Sequence, residues 1–493
     1  MRSHRIAIGL VVLAALIVSA TLVVRQVGSG SAAPPPAILS PGAGLPDEDP
    51  LAWTAQRSDE YALRATDGWS WPLYTKTADG LATGIQRTQG WRKQIEEATA
   101  GTDVDPDTLS AIVLLESAGR PEAQASDDLA GAVGLTQIVA QTGSDLLGMH
   151  VDVAAAERLS KQIDRAARKG QDARVERLRA ERRRVDERFD PRKSLAATVR
   201  YLQFAKRQLG RDDLATASYH MGVGNVQTAL KACGEDTVPY VRLYFDSTPV
   251  HHPAAWRFLS SLGDDSATYL WRVRAADEIL HMAAENPDQL ARRTAQMNER
   301  NSAEVALHPP DLTDHFADGG ALQDAYDSGE IAALPPAYLA RHGLRLDRQM
   351  GELAAKLDEK PKLYRGLRRE ALALLAYLGT GVRAISGEQG PLRVTSTVRD
   401  ERYQDRLRGV EDQATDGYSL HTTGYAFDIA RDYASPKQAM ALQFLLDRLT
   451  ALNLIAWVRE PGAIHVTVAS DAARLMQPMG VLPANARHDG AAG

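Results

Sequence analysis

The spacing of hydrophobic and polar positions changes several times along the chain, and the first change follows an uncharged N-terminal segment. No charged residue occurs from Ile6 to Val24, a length close to the roughly 20 residues that span a bilayer as a helix. Secretory signal cores are usually shorter, about 7–15 residues. Residues 1–25 are therefore predicted to be a membrane anchor, with a signal sequence cleaved near Ser31-Ala32-Ala33 as the alternative. Residues 26–50 are rich in Gly, Ser, Ala and Pro, which predicts a flexible linker.

Helical periodicity dominates residues 51–245, which are predicted to form one mainly α domain. Within it, residues 154–189 are rich in Arg, Glu and Ala and predict an inserted, charged helical hairpin. Residues 194–230 predict two helices separated at Gly210.

Residues 246–385 stay Ala- and Leu-rich and predict a mostly helical linking region. From 386 to 480 the pattern changes to short β-rich runs around a helix at 436–452, which is typical of an α+β domain. The predicted strands are Leu392–Ser396 and Ile464–Val468. Residues 481–493 predict a disordered tail. The expected fold is thus a mainly α domain and a small α+β domain, joined by a helical region.

Composition bears on the choice of partner and excludes chemistry that needs several cysteines. The chain has 493 residues and a net charge of −6, which gives no reason to expect nucleic acid as a partner. Cys233 is its one cysteine, so an intrachain disulfide and a cysteine-rich metal site are both excluded.

A glutamate, Glu116, lies on the apolar face of a helix predicted to begin at Pro106 with Asp105 as its N-cap. The apolar residues of that face are Leu109, Ile112 and Val113. A carboxyl group that apolar neighbours desolvate has a raised pKa, so it can stay protonated and act as a general acid on a glycosidic bond. A carboxylate that caps the following loop is the structural alternative.

Further motifs accompany Glu116 at separate positions. They are Glu116-Ser117, Ser126 in a small-residue loop, Gly134-Leu135-Thr136-Gln137-Ile138, Asp190-Pro191 before a helix with Tyr201-Leu202, and Ala215-Thr216-Ala217-Ser218-Tyr219-His220-Met221-Gly222-Val223-Gly224-Asn225-Val226. Together they make residues 90–245 resemble the goose-lysozyme-like lytic transglycosylases (SLT domains). The chain departs from that pattern with Thr136 in place of Met, His220 in place of Asn, and the inserted hairpin.

This resemblance implies a lysozyme-like fold and peptidoglycan as the substrate. It implies that Glu116 first protonates the glycosidic oxygen and then acts as base while the muramyl 6-hydroxyl attacks C1. Tyr219 would position the sugar or Glu116, and Gln137 and Ser126 would contact substrate. Two-carboxylate glycosidases need a second acid, and Asp127-Asp128 in the loop keep a lysozyme-type hydrolase as an alternative.

A second motif places a histidine and an aspartate seven positions apart and a second histidine in an alternating strand. The residues are His421 and Asp428 in Ser419–Ile429, and His465 in Ala463–Val468. Two histidines and a carboxylate are a common catalytic zinc set that leaves a fourth position open for water. A histidine–aspartate hydrogen bond that stabilises a turn is the structural alternative.

Residues 385–470 resemble the zinc D-alanyl-D-alanine carboxypeptidases and L-alanyl-D-glutamate endopeptidases of the cell wall. The resemblance implies that His421, Asp428 and His465 bind Zn²⁺ and that Arg399 holds a substrate carboxylate or polarises the scissile carbonyl. The family's Glu-x-x-His is missing, because position 462 is Gly. Glu460 is the nearest upstream glutamate and the candidate base, with a domain that binds metal but cleaves poorly as the alternative.

Both motifs lead to one expectation, a bifunctional murein hydrolase in the cell envelope, outside the cytoplasmic membrane and tethered to it by the N-terminal helix. The alternatives are a transglycosylase whose C-terminal domain only binds stem peptides, and a wall-docking scaffold.

Overall fold

The structure, a computed structural model, describes residues 49–298, 302–409 and 418–481. These residues form two compact units. The first comprises Pro72–Ser247 and His252–Ala291; the second comprises residues 49–71, Thr248–His251 and the described residues from Arg292 onward. In these ranges no helix has both the length and the apolarity to cross a membrane. The predicted anchor at 1–25 lies outside the described residues, as do nearly all of the linker and the tail.

The first unit is almost entirely helical. Its helices are Leu81–Gly90, Arg92–Thr99, Pro106–Ser117, Val153–Ala167, Asp172–Val185, Pro191–Leu209, Asp212–Met221, Val223–Ala232, Tyr240–Asp246, Pro253–Ser261 and Tyr269–Glu285. Shorter helical turns span Thr142–Leu146, Glu187–Phe189 and Asp265–Thr268. One antiparallel pair, β1 (Ala132–Val133) and β2 (Ile138–Val139), completes it. The helices Trp71–Lys76 and Pro287–Asn298 run across the points where the chain passes between units.

The helix Pro106–Ser117 begins as the sequence predicts. The Asp105 carboxylate accepts hydrogen bonds from the backbone N–H groups of Asp107 and Thr108, which satisfies two of the donors that a helix N-terminus leaves free. The helix ends at Ala118, whose φ of 51° is left-handed. Glu116 therefore sits in the last turn, directly before the chain changes direction.

A helix from beyond residue 245 belongs to the same unit. Tyr269–Glu285 packs along Pro106–Ser117 and buries Trp271 and Ile279 completely or nearly so. The region 246–385, which the sequence suggested was one linking segment, is consequently divided between the two units.

Residues 194–230 differ from the prediction in one respect. A second break at Gly222 follows the one at Gly210, so three helices form instead of two. The φ of Gly222 is 85° and its ψ is 143°, a combination that a residue with a Cβ rarely adopts. That backbone turn separates the helix that carries Tyr219 from the next one.

A buried arginine organises the loop that follows Glu116. Arg188 and Asp186 are fully buried and paired at 2.7 Å between Nη2 and Oδ2. The guanidinium also donates to three loop carbonyl oxygens, those of Leu129 (2.6 Å), Gly131 (2.9 Å) and Ile138 (3.2 Å). A buried charge is tolerated when it is paired and its donors are satisfied, and here the partners are the loop itself.

The second unit is an α+β assembly around one sheet. Its helices are Ser58–Gly68, Ser302–Leu307, Gly319–Asp327, Pro336–Arg341, Arg369–Ser386, Glu401–Arg408 and Pro436–Ala451, with short turns at Ala55–Arg57, Ala354–Leu357, Pro361–Tyr364, Leu420–Thr423 and Ser470–Leu475. The strands are β3 (Ile331–Ala333), β4 (Leu344–Leu346), β5 (Gly366–Arg368), β6 (Leu392–Ser396), β7 (Ala426–Ala430), β8 (Ile455–Arg459) and β9 (Ala463–Val468).

Five of these strands form a sheet in the order β4-β6-β7-β9-β8. The β4–β6 pair is parallel, and the other pairs are antiparallel. β3 and β5 form a separate antiparallel pair. β7 is the central strand and is buried along its whole length, so the polar Asp428 in the middle of it needs partners that its own strand cannot supply.

We predict that Arg188→Met destabilises the first unit by about 3–5 kcal/mol, because Asp186 is then a buried charge without its partner. Urea unfolding of the full chain, followed by hydrogen exchange of first-unit peptides, measures this. Lys193→Ala is the control, because it removes a solvent-exposed ion pair with Glu187 that should contribute about 1 kcal/mol or less. Equal effects of the two changes would contradict the role assigned to Arg188.

Candidate functional site

The site in the first unit is centred on Glu116 and a tyrosine from a distant helix. The Oη of Tyr269 donates a hydrogen bond of 2.6 Å to Oε1 of Glu116. Tyr269 is 2% exposed, whereas the glutamate remains partly accessible. The carboxyl group is thus held by a hydrogen bond from a buried tyrosine, in a residue that is itself partly accessible.

Burial raises the pKa of Glu116, and His220, the Tyr269 hydrogen bond and Arg272 act in the opposite direction without cancelling that effect. None of these four influences comes from another carboxylate. A carboxyl with a raised pKa retains its proton to a higher pH, which is the state that a general acid needs.

Tyr219, predicted to position the sugar or Glu116, lies in an aromatic stack beside this pair. Its ring stacks on that of Tyr269 at 6.2 Å between centroids, and Tyr201 meets it edge-on at 5.3 Å. The Tyr219 hydroxyl donates to the carbonyl oxygen of Thr136 at 2.8 Å. Tyr219 therefore joins the loop to the aromatic stack, whereas Tyr269 makes the hydrogen bond to the glutamate.

The side chain at position 136 is part of the same network. Thr136 is fully buried, and its hydroxyl lies 2.7 Å from that of Ser194 and 2.9 Å from that of Thr198. Two hydroxyls thus satisfy the polar group that this chain carries where the resembled family has an apolar Met.

The other predicted contact residues lie in the loop after Glu116. The side-chain amide of Gln137 donates hydrogen bonds to the carbonyl oxygens of Ala123 (3.2 Å) and Gly134 (2.8 Å). Ser126 donates to the carbonyl of Asp128 at 3.3 Å. Both side chains are partly exposed, so they remain accessible while they shape the loop.

A glycine in this loop, Gly134, allows the loop to approach the backbone of Arg188 closely. A Cβ at Gly134 would lie 2.0 Å from the carbonyl oxygen of Arg188, and its φ is 83°. Any other residue there would clash with backbone and adopt a strained conformation. The glycine of the motif is thus explained by packing.

The site in the second unit is assembled by sheet register. Asp428 on β7 pairs directly with His465 on β9, and His421 lies in the turn before β7. Ligand atoms of all three side chains lie within 4.8 Å of one another. His421 and Asp428 are 4% and 8% exposed, so the cluster is mostly buried.

Hydrogen bonds fix which nitrogen of His421 faces the cluster. Its Nδ1 donates to the carbonyl of Thr397 at 2.8 Å, which leaves Nε2 toward Oδ2 of Asp428 at 3.2 Å. Oδ1 of Asp428 lies 2.8 Å from Nδ1 of His465. One carboxylate therefore faces two imidazoles, each through a single nitrogen.

The electrostatics of the cluster keep its carboxylate ionised. Burial would raise the pKa of Asp428, but the two imidazoles hold it well below its usual range. Burial lowers the pKa of His421 to about 4. Burial would also lower the pKa of His465, but Asp428 raises it to about 9. An anionic carboxylate between two imidazoles is a donor set that fits Zn²⁺.

Arg399 and Glu460 take different positions around this cluster. Arg399 approaches Oδ2 of Asp428 at 3.8 Å through Nη2, which also donates to Ser396. Glu460 lies in the β8–β9 hairpin, is partly exposed, and is outside the group whose ligand atoms lie within 4.8 Å. Glu460 follows directly after β8, and its charge is one of those that raise the pKa of His465.

Two functional candidates were missed from sequence. Tyr269 lies 153 residues after Glu116 in an ordinary amphipathic helix, outside the motifs that point to Glu116. Glu304 has a buried Oε1, with no hydrogen-bond partner among the described residues, 3.4 Å from Nε2 of His465. Burial raises the pKa of Glu304 to about 6. A glutamate within an apolar stretch, Ser302–Leu307, was the available signal for the second.

A comparison with protein families gives a match for the part of the chain that contains the first site. Residues 93–158 and 162–237 match the family model of the Transglycosylase SLT domain. The chain thus contains an SLT domain, which indicates a lytic transglycosylase that acts on peptidoglycan. Glu116, the loop and Tyr219 lie within the matched residues, and Tyr269 lies after them. Neither the curated proteins nor the solved structures gave a match.

We predict that Tyr269→Phe raises the pKa of Glu116 further, because a hydrogen bond donated to the ionised carboxylate lowers it. A ¹³C NMR titration of glutamate carboxyl carbons, with Glu116→Gln to assign the resonance, measures the change. Tyr240→Phe is the control, since the buried Tyr240 donates to the carbonyl of Ala267 instead. An unchanged or lower pKa in Tyr269→Phe would contradict the assignment.

Proposed function

We propose that the first unit cleaves the MurNAc-GlcNAc bond without water and releases 1,6-anhydromuropeptides, with Glu116 as the acid and then the base. The observation that carries this proposal is a single shielded carboxyl with a raised pKa, perturbed by a tyrosine, a histidine and an arginine and by no second carboxylate.

The reaction needs one group that changes role. Glu116 gives its proton to the glycosidic oxygen as the C1–O bond breaks, and the developing positive charge on C1 faces the new carboxylate. The muramyl 6-hydroxyl then bonds to C1 while its proton returns to Glu116. The hydrogen bond from Tyr269 holds the carboxylate in place between the two steps.

The loop aspartates give little support to the hydrolytic alternative. Asp127 and Asp128 are exposed, and Oδ1 of Asp128 accepts from the N–H of Ala130 at 2.8 Å within its own turn. A two-carboxylate mechanism needs a second carboxyl at a set distance across the sugar. The turn instead gives Asp128 a local structural role.

We predict that Glu116→Gln abolishes glycan cleavage of purified sacculi, by about 1,000-fold or more, because the proposed general acid is lost. Mass spectrometry of the digests measures new glycan ends. Glu122→Gln is the control, because Glu122 lies nearby in the chain and pairs with Arg182 and Arg183. Free reducing ends in place of anhydro ends in the wild-type digest would contradict the transglycosylase.

We also propose that the second unit is a zinc-dependent peptidase that acts on the stem peptides of the same polymer. The support is the convergence of His421, Asp428 and His465 in the geometry described above. Zinc bound there would lower the pKa of a coordinated water and polarise a carbonyl. Arg399 would bind a substrate carboxylate, and Glu460, whose charge acts on His465, would take up the proton.

We predict that His421→Ala reduces zinc content from about one ion per chain to near zero, because a three-residue set loses one ligand. Metal analysis after dialysis measures it, together with release of D-Ala from muropeptides. The control is His315→Ala, an exposed histidine paired with Glu401. If His421→Ala retains zinc and peptide release, the peptidase proposal fails, while glycan cleavage should continue in either case.

The location follows from the substrate. Peptidoglycan lies outside the cytoplasmic membrane, so we propose that both units act in the cell envelope, with the uncharged segment Ile6–Val24 as anchor or export signal. Fractionation of cells that express the full chain, compared with a chain that lacks residues 1–25, tests this.

A further inference from the structure

A buried carboxylate that belongs to neither sequence motif lies behind the metal cluster. Glu304 is 3% exposed, and its Oε1 is shielded from solvent without a hydrogen-bond partner among the described residues. An unpaired buried carboxylate oxygen is costly. Its nearest charged neighbour is Nε2 of His465, at 3.4 Å.

The segment that carries Glu304 is fixed to the strand that carries His465. Val305 is buried, and Nε2 of His308 donates to the carbonyl of Val468 at the end of β9, at 2.6 Å. The His308 ring also stacks on Tyr425 at 3.8 Å. These contacts place the carboxylate against one edge of the His465 imidazole.

The two nitrogens of that imidazole face different groups. Nδ1 faces Asp428 at 2.8 Å and is therefore the atom on the cluster side. A neutral imidazole that gives the lone pair of Nδ1 to a metal carries its proton on Nε2. Among the described residues, the acceptors near that proton are Oε1 of Glu304 and Oγ1 of Thr467, both at 3.4 Å, and only the first is anionic.

We propose that Glu304 is the outer carboxylate of this metal site, which accepts the Nε2–H of His465 and so directs Nδ1 to the metal. The inference rests on the proposed zinc site and adds a positioning residue to it. Carboxylate partners of this kind fix the tautomer and ring orientation of a metal-bound histidine and make it a stronger ligand. Glu304 is outside the group whose ligand atoms converge, which favours this role over direct coordination.

The test measures zinc affinity by competition with a chromophoric chelator, using the full chain. Glu304→Gln keeps an acceptor but loses the charge, and Glu304→Leu loses both. We expect about 10-fold weaker binding for the first and about 100-fold for the second. The control is Asp447→Asn, which should leave the affinity unchanged. Asp447 is a partly buried carboxylate that accepts a hydrogen bond from Gln443.

Cobalt substitution separates the remaining outcomes. If Glu304 acts through His465, the visible spectrum of the Co²⁺ form keeps its intensity in Glu304→Gln, because the number of protein ligands is unchanged. Unaltered zinc affinity in both variants, or a spectrum that reports a lost ligand, would overturn the proposal. Wild-type protein that binds no zinc would instead overturn the metal site itself. Thermal unfolding of the metal-free variants checks that each is folded.

Discussion

The first unit depends on one buried cation, the guanidinium of Arg188. Its charge is balanced by Asp186, and its other donors go to the carbonyls of the loop after Glu116. Because buried backbone carbonyls need hydrogen-bond partners, loop and arginine require each other. The loop in turn offers the carbonyl of Leu135 to Ser117 at 2.7 Å and that of Thr136 to Tyr219. The position of Glu116 is thus connected to a residue 72 positions further along the chain.

Desolvation has different consequences in the two sites. At Glu116 desolvation is only partly opposed, so the pKa of the carboxyl is raised. At Asp428 two imidazoles override it, so the carboxylate stays ionised and can face a cation. The same physical effect thus raises the pKa of one carboxyl and is outweighed by neighbouring imidazoles at the other.

Elements with strong local signals could be predicted from sequence. Three such elements occur where the pattern indicated: the cap at Asp105, the strand Leu392–Ser396 and a helix starting at Pro436. The three-residue strands β3, β4 and β5 were not foreseen, since runs so short carry no periodicity, and β4 gains its place only by pairing with β6. The break at Gly222 was also missed, because a glycine inside a helical pattern is often tolerated.

The site residues likewise divide into those that local sequence motifs predict and those that only the structure reveals. Glu116, His421, Asp428 and His465 occur in motifs whose spacing signals chemistry. Tyr269 and Glu304 lie more than 150 residues along the chain from Glu116 and His465, the residues they face. Packing of their helices brings them to the sites. No local pattern distinguishes such residues from ordinary helix residues, and a three-dimensional structure was needed to find them.

We propose that Glu116 alone drives an intramolecular reaction in which water takes no part. Digestion of purified sacculi in H₂¹⁸O, followed by mass spectrometry of the released muropeptides, tests this most directly. We expect products lighter by one water than hydrolytic ones, with no ¹⁸O at the new glycan ends. One ¹⁸O atom at each new reducing end would contradict it and show a hydrolase instead.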